Sequence, residues 1–279
     1  MSIFNIKIFV LAIFFLITAP LGFRYYYQKT HPQKIVITPR EEVTVTIIPG
    51  WNLRQVADYL VKQNLASSTE DVYKIIGQPA FYYTKGNAPT ISVEGQALEM
   101  KSNKVSLEGY LAPETYRVYR DATLIDVIEK LVLQREKQIT SMMYADALKT
   151  GRSFHEIMTM ASILEEEAKS DEDRARVAVI LWRRADQGWP LQVDSSVHYA
   201  VDKSGDLFTT AEERKSDSFW NTYKYPDLPP GPISNPSLQS IQAAIYPIKN
   251  NYWYFLSGKD GKIYYGKTLE EHNRNKKYL

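Results

Sequence analysis

Cysteine is absent from this 279-residue sequence, which excludes disulfides, thiol nucleophiles and iron–sulfur clusters. Histidine occurs only four times, without the spacing of a zinc motif, so we predict neither a metal site nor a serine–histidine triad. The sequence lacks a G-x-S-x-G elbow, a phosphate-binding loop and a G-x-G-x-x-G segment, and we predict no cofactor. A net charge of only +2, with scattered basic residues, gives no indication of a nucleic-acid partner. Carboxylates remain as the candidates for chemistry.

A long uncharged segment lies near the N-terminus. No charged residue occurs from Ile8 to Phe23, which approaches the roughly 20 residues that cross a bilayer. We therefore predict a cytoplasmic tail and transmembrane anchor over residues 1–24. A cleaved signal peptide is the alternative, but no A-x-A-like site follows the segment. Three basic residues follow the span and one precedes it, so the positive-inside rule by itself favours the opposite orientation to that of an exported enzyme.

The remaining sequence predicts an α+β protein with a linker over residues 25–40 and two domains. The first, residues 41–107, is a small α+β domain. Strand-like alternation over Val43–Ile48 ends at Pro49-Gly50. Two helices follow, one with apolar residues at i, i+3, i+4 and i+7 from Leu53. The second covers Thr69–Ile76, and Ile91–Glu94 is predicted to be the returning strand.

The second domain, residues 108–279, is predicted to be larger and mainly helical. Its helix starts are indicated by capping residues, since Ser, Thr and Asp side chains accept hydrogen bonds from the first turn. A hairpin with Asp-Gly at its turn is predicted near the C-terminus. The predicted caps are Asp121, Ser153 with Glu156, Ser170, Asp194, and Thr268 with Glu271.

The helix that begins at Ser153 distinguishes one glutamate from its neighbours. At about 100° per residue, Glu165 falls inside the apolar stripe of this helix, whereas Glu166 and Glu167 point away from its centre. A carboxyl group on that face loses hydration, which favours its protonated form and suits a general acid. A structural ion pair with Arg174 or Arg176 is an equally good interpretation of the pattern.

Two further segments are unusual for simple scaffolding. Residues 107–116 combine turn formers, aromatics and two acids. Asn221–Tyr223 precede a proline-rich loop over Leu228–Pro236, in which each proline fixes φ. Rigid loops with amide and aromatic groups suit sugar binding, but a rigid connector explains the same composition.

These segments, in this order, resemble the YceG-like family of endolytic murein transglycosylases. The resemblance extends from about residue 43 to the end and implies a LysM-like small domain followed by a catalytic domain. It assigns the essential acid to the glutamate of the A-S-I-x-E motif, which is Glu165. Ser195-Ser196 and Ala112 depart from the family pattern. The matching motifs are Pro49-Gly50, Glu108–Tyr116, Ala161–Glu165, Leu191–Asp194, Asn221–Tyr223, Leu228–Ile233, Trp253–Phe255 and Glu271–Asn273.

The resemblance also implies a reaction and a location. The substrate would be the glycan strands of peptidoglycan, cut without water to leave 1,6-anhydro ends. Glu108 would support catalysis, and the cleft would be lined by Gln192, Asp194, Asn221 and Tyr223. The enzyme would be anchored in the bacterial cytoplasmic membrane, with the catalytic domain outside the cytoplasm and peptidoglycan synthases as possible partners.

Two other functions stay open. A hydrolase on the same scaffold would use Glu108 or Asp194 as a second carboxylate. A wall-binding protein without enzymatic activity would use Glu165 only structurally.

Overall fold

The computed structural model describes residues 20–27, 29–30, 39–203 and 208–279. Residues 1–19 of the predicted anchor lie outside this range. Residues 20–27 and 29–30 are helical, and they include the start of the predicted linker. Within the described residues, no helix has both the length and the apolar character that crossing a bilayer requires. Residues 41–279 form a unit of their own.

The first half of this unit is built around two paired strands. Its elements are β1 (Glu42–Ile47), α1 (Leu53–Lys62), α2 (Thr69–Ile76), α3 (Gln96–Glu99), β2 (Glu114–Tyr119) and α4 (Leu124–Gln138). β1 and β2 are antiparallel, with Val45 opposite Tyr116. The apolar sides of β1, α1, α2, β2 and α4 share one core. The predicted boundary between residues 107 and 108 therefore falls between the two paired strands.

The returning strand is β2, so the prediction of a strand over Ile91–Glu94 is wrong. That segment has no regular secondary structure, although Ile91 is buried. In β2, Tyr116 and Val118 are buried and their neighbours are exposed, which gives the period of two that a half-buried strand requires.

The second half is mainly helical and surrounds α6. It consists of α5 (Ser141–Lys149), α6 (Phe154–Glu167), α7 (Asp171–Asp186), α8 (Asp194–Val201) and α9 (Leu238–Ile245). A hairpin of β3 (Tyr254–Ser257) and β4 (Ile263–Gly266) precedes α10 (Leu269–Asn275). α6 packs against α5, α7, α8 and α9. This central position explains why nine residues of α6 are buried, namely Phe154 and the eight consecutive residues Ile157–Leu164.

The capping predictions have mixed outcomes. Ser153, Ser170 and Thr268 are N-caps, as predicted. Asp121 does not cap α4, because Thr123 does so in a capping box with Asp126. Asp194 is the first residue of α8 rather than its cap, and its carboxylate accepts from Tyr223 instead. The sequence reasoning did not predict α3, α5 or α9.

The turn after β1 is joined to the proline-rich loop. Gly50, at φ +85°, donates from its backbone N–H to the Asn235 carbonyl at 3.0 Å. Asn235 returns a bond from its own N–H to the Trp51 carbonyl at 2.8 Å. Its side-chain oxygen also accepts from the Leu111 N–H at 3.0 Å. The turn after β1 and residues 107–116 therefore both contact the proline-rich loop.

Candidate functional site

Glu165 lies near the C-terminus of α6 and is held by both of its oxygens. Oε1 accepts from the Arg174 guanidinium at 3.2 Å. Oε2 accepts from the Ser237 backbone N–H at 2.8 Å and from its hydroxyl at 2.6 Å. The Ser240 hydroxyl adds a fourth bond at 2.6 Å. Only 7% of the Glu165 side chain is exposed.

Two helices and one turn fix this position. Ser237 is the N-cap of α9, so the Glu165 carboxylate lies where the helix presents its unpaired N–H groups. Arg174 comes from the first turns of α7. A methyl group at Gly50 would lie 3.8 Å from Glu165 Cγ, which places the turn after β1 directly over the site. The predicted burial of Glu165 is confirmed, and so is the structural pairing with Arg174; its catalytic role stays a prediction.

Two more carboxyl groups follow Glu165 on the same helix. Glu166 is more exposed, yet surrounding protein atoms reduce its hydration and, with the charges of Glu165 and Glu167, raise its pKa to about 7. Burial likewise raises the pKa of Glu167 to about 7. Glu167 accepts from the Ser195 hydroxyl at 2.7 Å, at the start of α8. The end of α6 therefore carries two carboxyl groups that exchange protons near neutral pH.

The predicted cleft residues of the second domain do come together. The Tyr223 hydroxyl donates to Asp194 at 2.8 Å, and the Gln192 N–H donates to the Thr222 carbonyl at 3.1 Å. Gln192 adopts φ +52° and exposes its side chain, an uncommon combination for glutamine. Asn221 is fully buried, and its amide bonds the backbone of its own loop, including the Tyr223 N–H. It therefore positions Tyr223 and has no exposed surface of its own.

Glu108 lies below the Gly50 turn and is only 2% exposed. Its Oε2 accepts from the Leu53 N–H at 3.0 Å, at the start of α1, and its Oε1 lies 3.4 Å from the Asn235 amide nitrogen. Burial raises the pKa of Glu108 to about 8, although the hydrogen bond from Leu53 acts in the opposite direction. The structure thus makes Glu108 a link between α1 and the proline-rich loop.

The proline-rich loop has a second support. The Tyr110 hydroxyl lies 2.9 Å from His155 Nδ1, and His155 Nε2 lies 2.9 Å from the Pro230 carbonyl. Since a carbonyl can only accept, Nε2 carries the proton and Nδ1 accepts from Tyr110. Burial lowers the pKa of His155, which keeps the ring neutral.

Sequence reasoning missed Ser237 and Ser240, which supply three of the four bonds to Glu165. A local signal existed: Ser237 precedes apolar residues at Leu238, Ile241 and Ile245, the spacing of a capped helix. Among the residues that the structure describes, no group of acidic and histidine side chains could hold a metal ion. The carboxyl groups at the end of α6 are able to transfer protons.

The chain is similar to known proteins along most of its length. The YceG-like family model matches residues 27–278. An endolytic murein transglycosylase of Bacillus subtilis is 34% identical over 238 residues, which are 84% of this chain and 65% of the relative. One of Streptococcus pneumoniae is 30% identical over 249 residues, 85% of this chain and 45% of the relative.

A solved structure is also similar. The 2.6 Å crystal structure of a YceG-like protein from Listeria monocytogenes superposes with a TM-score of 0.69 at 34% identity. The match covers 86% of this chain and 76% of that one. The chain thus spans less than two thirds of the two curated relatives, yet matches the family model over nearly its whole length. It belongs to the YceG-like family.

Proposed function

We propose that this protein is an endolytic lytic transglycosylase that cuts the glycan strands of peptidoglycan, with Glu165 as its acid. The observation that carries the proposal is the Glu165 carboxyl group, held at the junction of α6, α7, α9 and the Gly50 turn by four donors. The printed names of the two curated relatives support the reaction class.

In the proposed reaction, protonated Glu165 transfers its proton to the oxygen of the bond between N-acetylmuramic acid and N-acetylglucosamine. The bond from the anomeric carbon to that oxygen breaks, and the glucosamine part leaves as an alcohol. The C6 hydroxyl of the same muramic residue attacks the anomeric carbon and returns its proton to Glu165. A 1,6-anhydro ring forms, no water is consumed, and one carboxyl group is sufficient because the nucleophile belongs to the substrate.

The surrounding residues have separate tasks in this proposal. The Ser237 and Ser240 donors and Arg174 orient the carboxyl group. Tyr223, Gln192 and Asp194 offer hydroxyl, amide and carboxylate groups to the sugar, and Asn221 fixes the loop that carries Tyr223. Glu108 supports the site by linking the start of α1 to the proline-rich loop.

The proposal extends to the place of action. The β1–α1–α2–β2 arrangement is the strand–helix–helix–strand order of a LysM-like glycan-binding unit. The uncharged segment over residues 8–23 would anchor the chain in the cytoplasmic membrane, with residues 41–279 on the extracytoplasmic side. An enzyme tethered there reaches newly made strands, which it would terminate beside peptidoglycan synthases.

The test uses the purified full chain, uncrosslinked glycan strands and mass spectrometry of the products. Internal cuts with anhydro-muramic ends are expected, and Glu165→Gln should abolish them. Glu172→Gln is the matched control, because Glu172 is an exposed glutamate in an ion pair with Arg176. Products heavier by one water would instead establish a hydrolase. Binding without cleavage in the wild type would establish a wall-binding protein and refute the proposal.

A further inference from the structure

Arg135 of α4 is a fully buried arginine, with no side-chain exposure at all. Its Nη2 donates to the Pro236 carbonyl at 2.7 Å, and its Nη1 donates to the Gln138 side chain at 3.0 Å. Its Nε has no hydrogen-bond partner, and no carboxylate forms an ion pair with it in the described part of the chain. Its charge is therefore buried with neutral direct partners only.

A buried guanidinium without a paired carboxylate is costly, and an apolar residue of similar size would fill the same space more favourably. The groups near enough to act on its charge are Tyr116, Glu165, Tyr110 and Glu136. The Glu136 carboxylate accepts hydrogen bonds from the N–H groups of Ala97 and Leu98 in α3. Among these acids, Glu165 is the one at the candidate site. Burial lowers the pKa of Arg135 to about 10, so the group stays charged at neutral pH.

The contact with Pro236 connects Arg135 to the Glu165 carboxylate. Pro236 directly precedes Ser237, whose N–H and hydroxyl both donate to Glu165 Oε2. The Pro236 carbonyl and the Ser237 N–H belong to one planar peptide unit, so anchoring the carbonyl also fixes the direction of the N–H. Arg174 holds the other oxygen from α7.

We infer that Arg135 is a positioning residue for Glu165: it anchors the Pro236–Ser237 segment and places a second positive charge behind the carboxylate. The catalytic consequence rests on the proposed function, but the electrostatic coupling between the two side chains does not. Two arginines then act on Glu165, one in contact from α7 and one through the backbone from α4. The charge that opposes them beside Glu165 is that of Glu166, the next residue of α6.

The first experiment measures the titration of the Glu165 carboxyl carbon by NMR in the full chain, with Glu165→Gln to assign its signal. Removing the Arg135 charge in Arg135→Met and Arg135→Gln should raise the midpoint, because a nearby positive charge favours the ionised carboxyl group. Arg135→Lys, which keeps the charge, should restore the midpoint. Arg183→Met is the control, because Arg183 also donates to backbone carbonyls, those of Asn250 and Tyr252. It should lower stability and leave the midpoint in place.

The second measurement needs no neutral variant to fold. In the wild type, the Arg135 Nε–H resonance should shift with the same midpoint as the Glu165 carboxyl carbon, and this inflection should vanish in Glu165→Gln. In cleavage assays, the alkaline limb of the pH–rate profile should move up by the same amount in the neutral variants, because Glu165 stays protonated to higher pH.

Unchanged Glu165 midpoints in both neutral variants, or an Arg135 resonance that ignores Glu165, would overturn the inference. If the wild type cuts no glycan but the midpoints shift as expected, the proposed function fails and the role of Arg135 as a positioning residue stands.

Discussion

Glu108 should make the wild-type protein less stable as the pH rises from acid to neutral. Two influences compete at its carboxyl group. The Leu53 N–H and the start of α1 favour the ionised form, by about 1.5–3 kcal/mol for a charged hydrogen bond and up to ~2 kcal/mol for a helix N-terminus. Burial of a carboxylate costs several kcal/mol and opposes both. The pKa of about 8 indicates that burial wins.

The sign follows from comparing the folded and unfolded chains. The unfolded chain releases the Glu108 proton near pH 4.5, whereas the folded protein keeps it to about pH 8. Folding therefore becomes less favourable throughout this interval. At about 1.4 kcal/mol for each pH unit, the loss amounts to about 5 kcal/mol as an upper value.

Glu108→Gln imitates the neutral acid and should escape this loss. Its amide nitrogen would face the Asn235 amide nitrogen, at a pH-independent cost of about 1 kcal/mol. Relative to the wild type, the variant should be slightly less stable at pH 4 and clearly more stable at pH 8. Urea unfolding across this range measures the difference, with Glu114→Gln as the control, because Glu114 is an exposed residue of β2. If the stability difference between variant and wild type did not change with pH, or if the variant became relatively less stable as the pH rises, Glu108 would be ionised beside Leu53 and α1, and the reasoning would be refuted.

Two further predictions concern the supports of the proline-rich loop. Burial lowers the pKa of His155 below 6.5, so the unfolded chain gains this proton first and stability should fall as the pH drops below about 6.5. In urea unfolding, the wild type should lose stability faster in this range than His155→Gln does. Parallel stability curves of the two proteins would contradict this. Gly109→Ala should lower the melting temperature by several degrees more than Gly151→Ala. Both glycines have positive φ, but only at Gly109 would the methyl group lie 2.7 Å from Pro232, at an added cost of about 1–3 kcal/mol. Equal shifts of the melting temperature in calorimetry would show that the proline-rich loop moves to accommodate the methyl group.

Local signals accounted for much of the fold. The Ser153 capping box and the helical period placed Glu165 on the buried face of α6, because both depend only on residues within one helix. The position of β2 could not be read in the same way. Ile91–Glu94 and Glu114–Tyr119 both alternate, and the choice between them depends on which strand reaches β1 in three dimensions.

The hydrogen-bond partners of Glu165 also divide into one that is near in sequence and others that depend on how distant segments pack. Arg174 was within reach of the sequence because it follows Glu165 closely. Ser237 and Ser240 lie more than 70 residues later, and their contact with Glu165 depends on how α9 packs against α6. Arg135 gave a signal that is clear only in retrospect. It follows Ile128 and Leu131 at helical spacing, which puts it on the apolar face of α4.

The pairing of β1 with β2 has a consequence for modular exchange. A graft that ended at residue 107 would carry β1 without its partner, since Thr46 meets Thr115 across the ladder. The smallest transplantable piece with a closed core runs from Glu41 to the end of α4 at Gln138. That piece includes Glu108 and Arg135. Recombination between relatives would therefore transfer Glu108 and Arg135 together and separate both from Asn235 and Pro236, the residues that they contact in the second half.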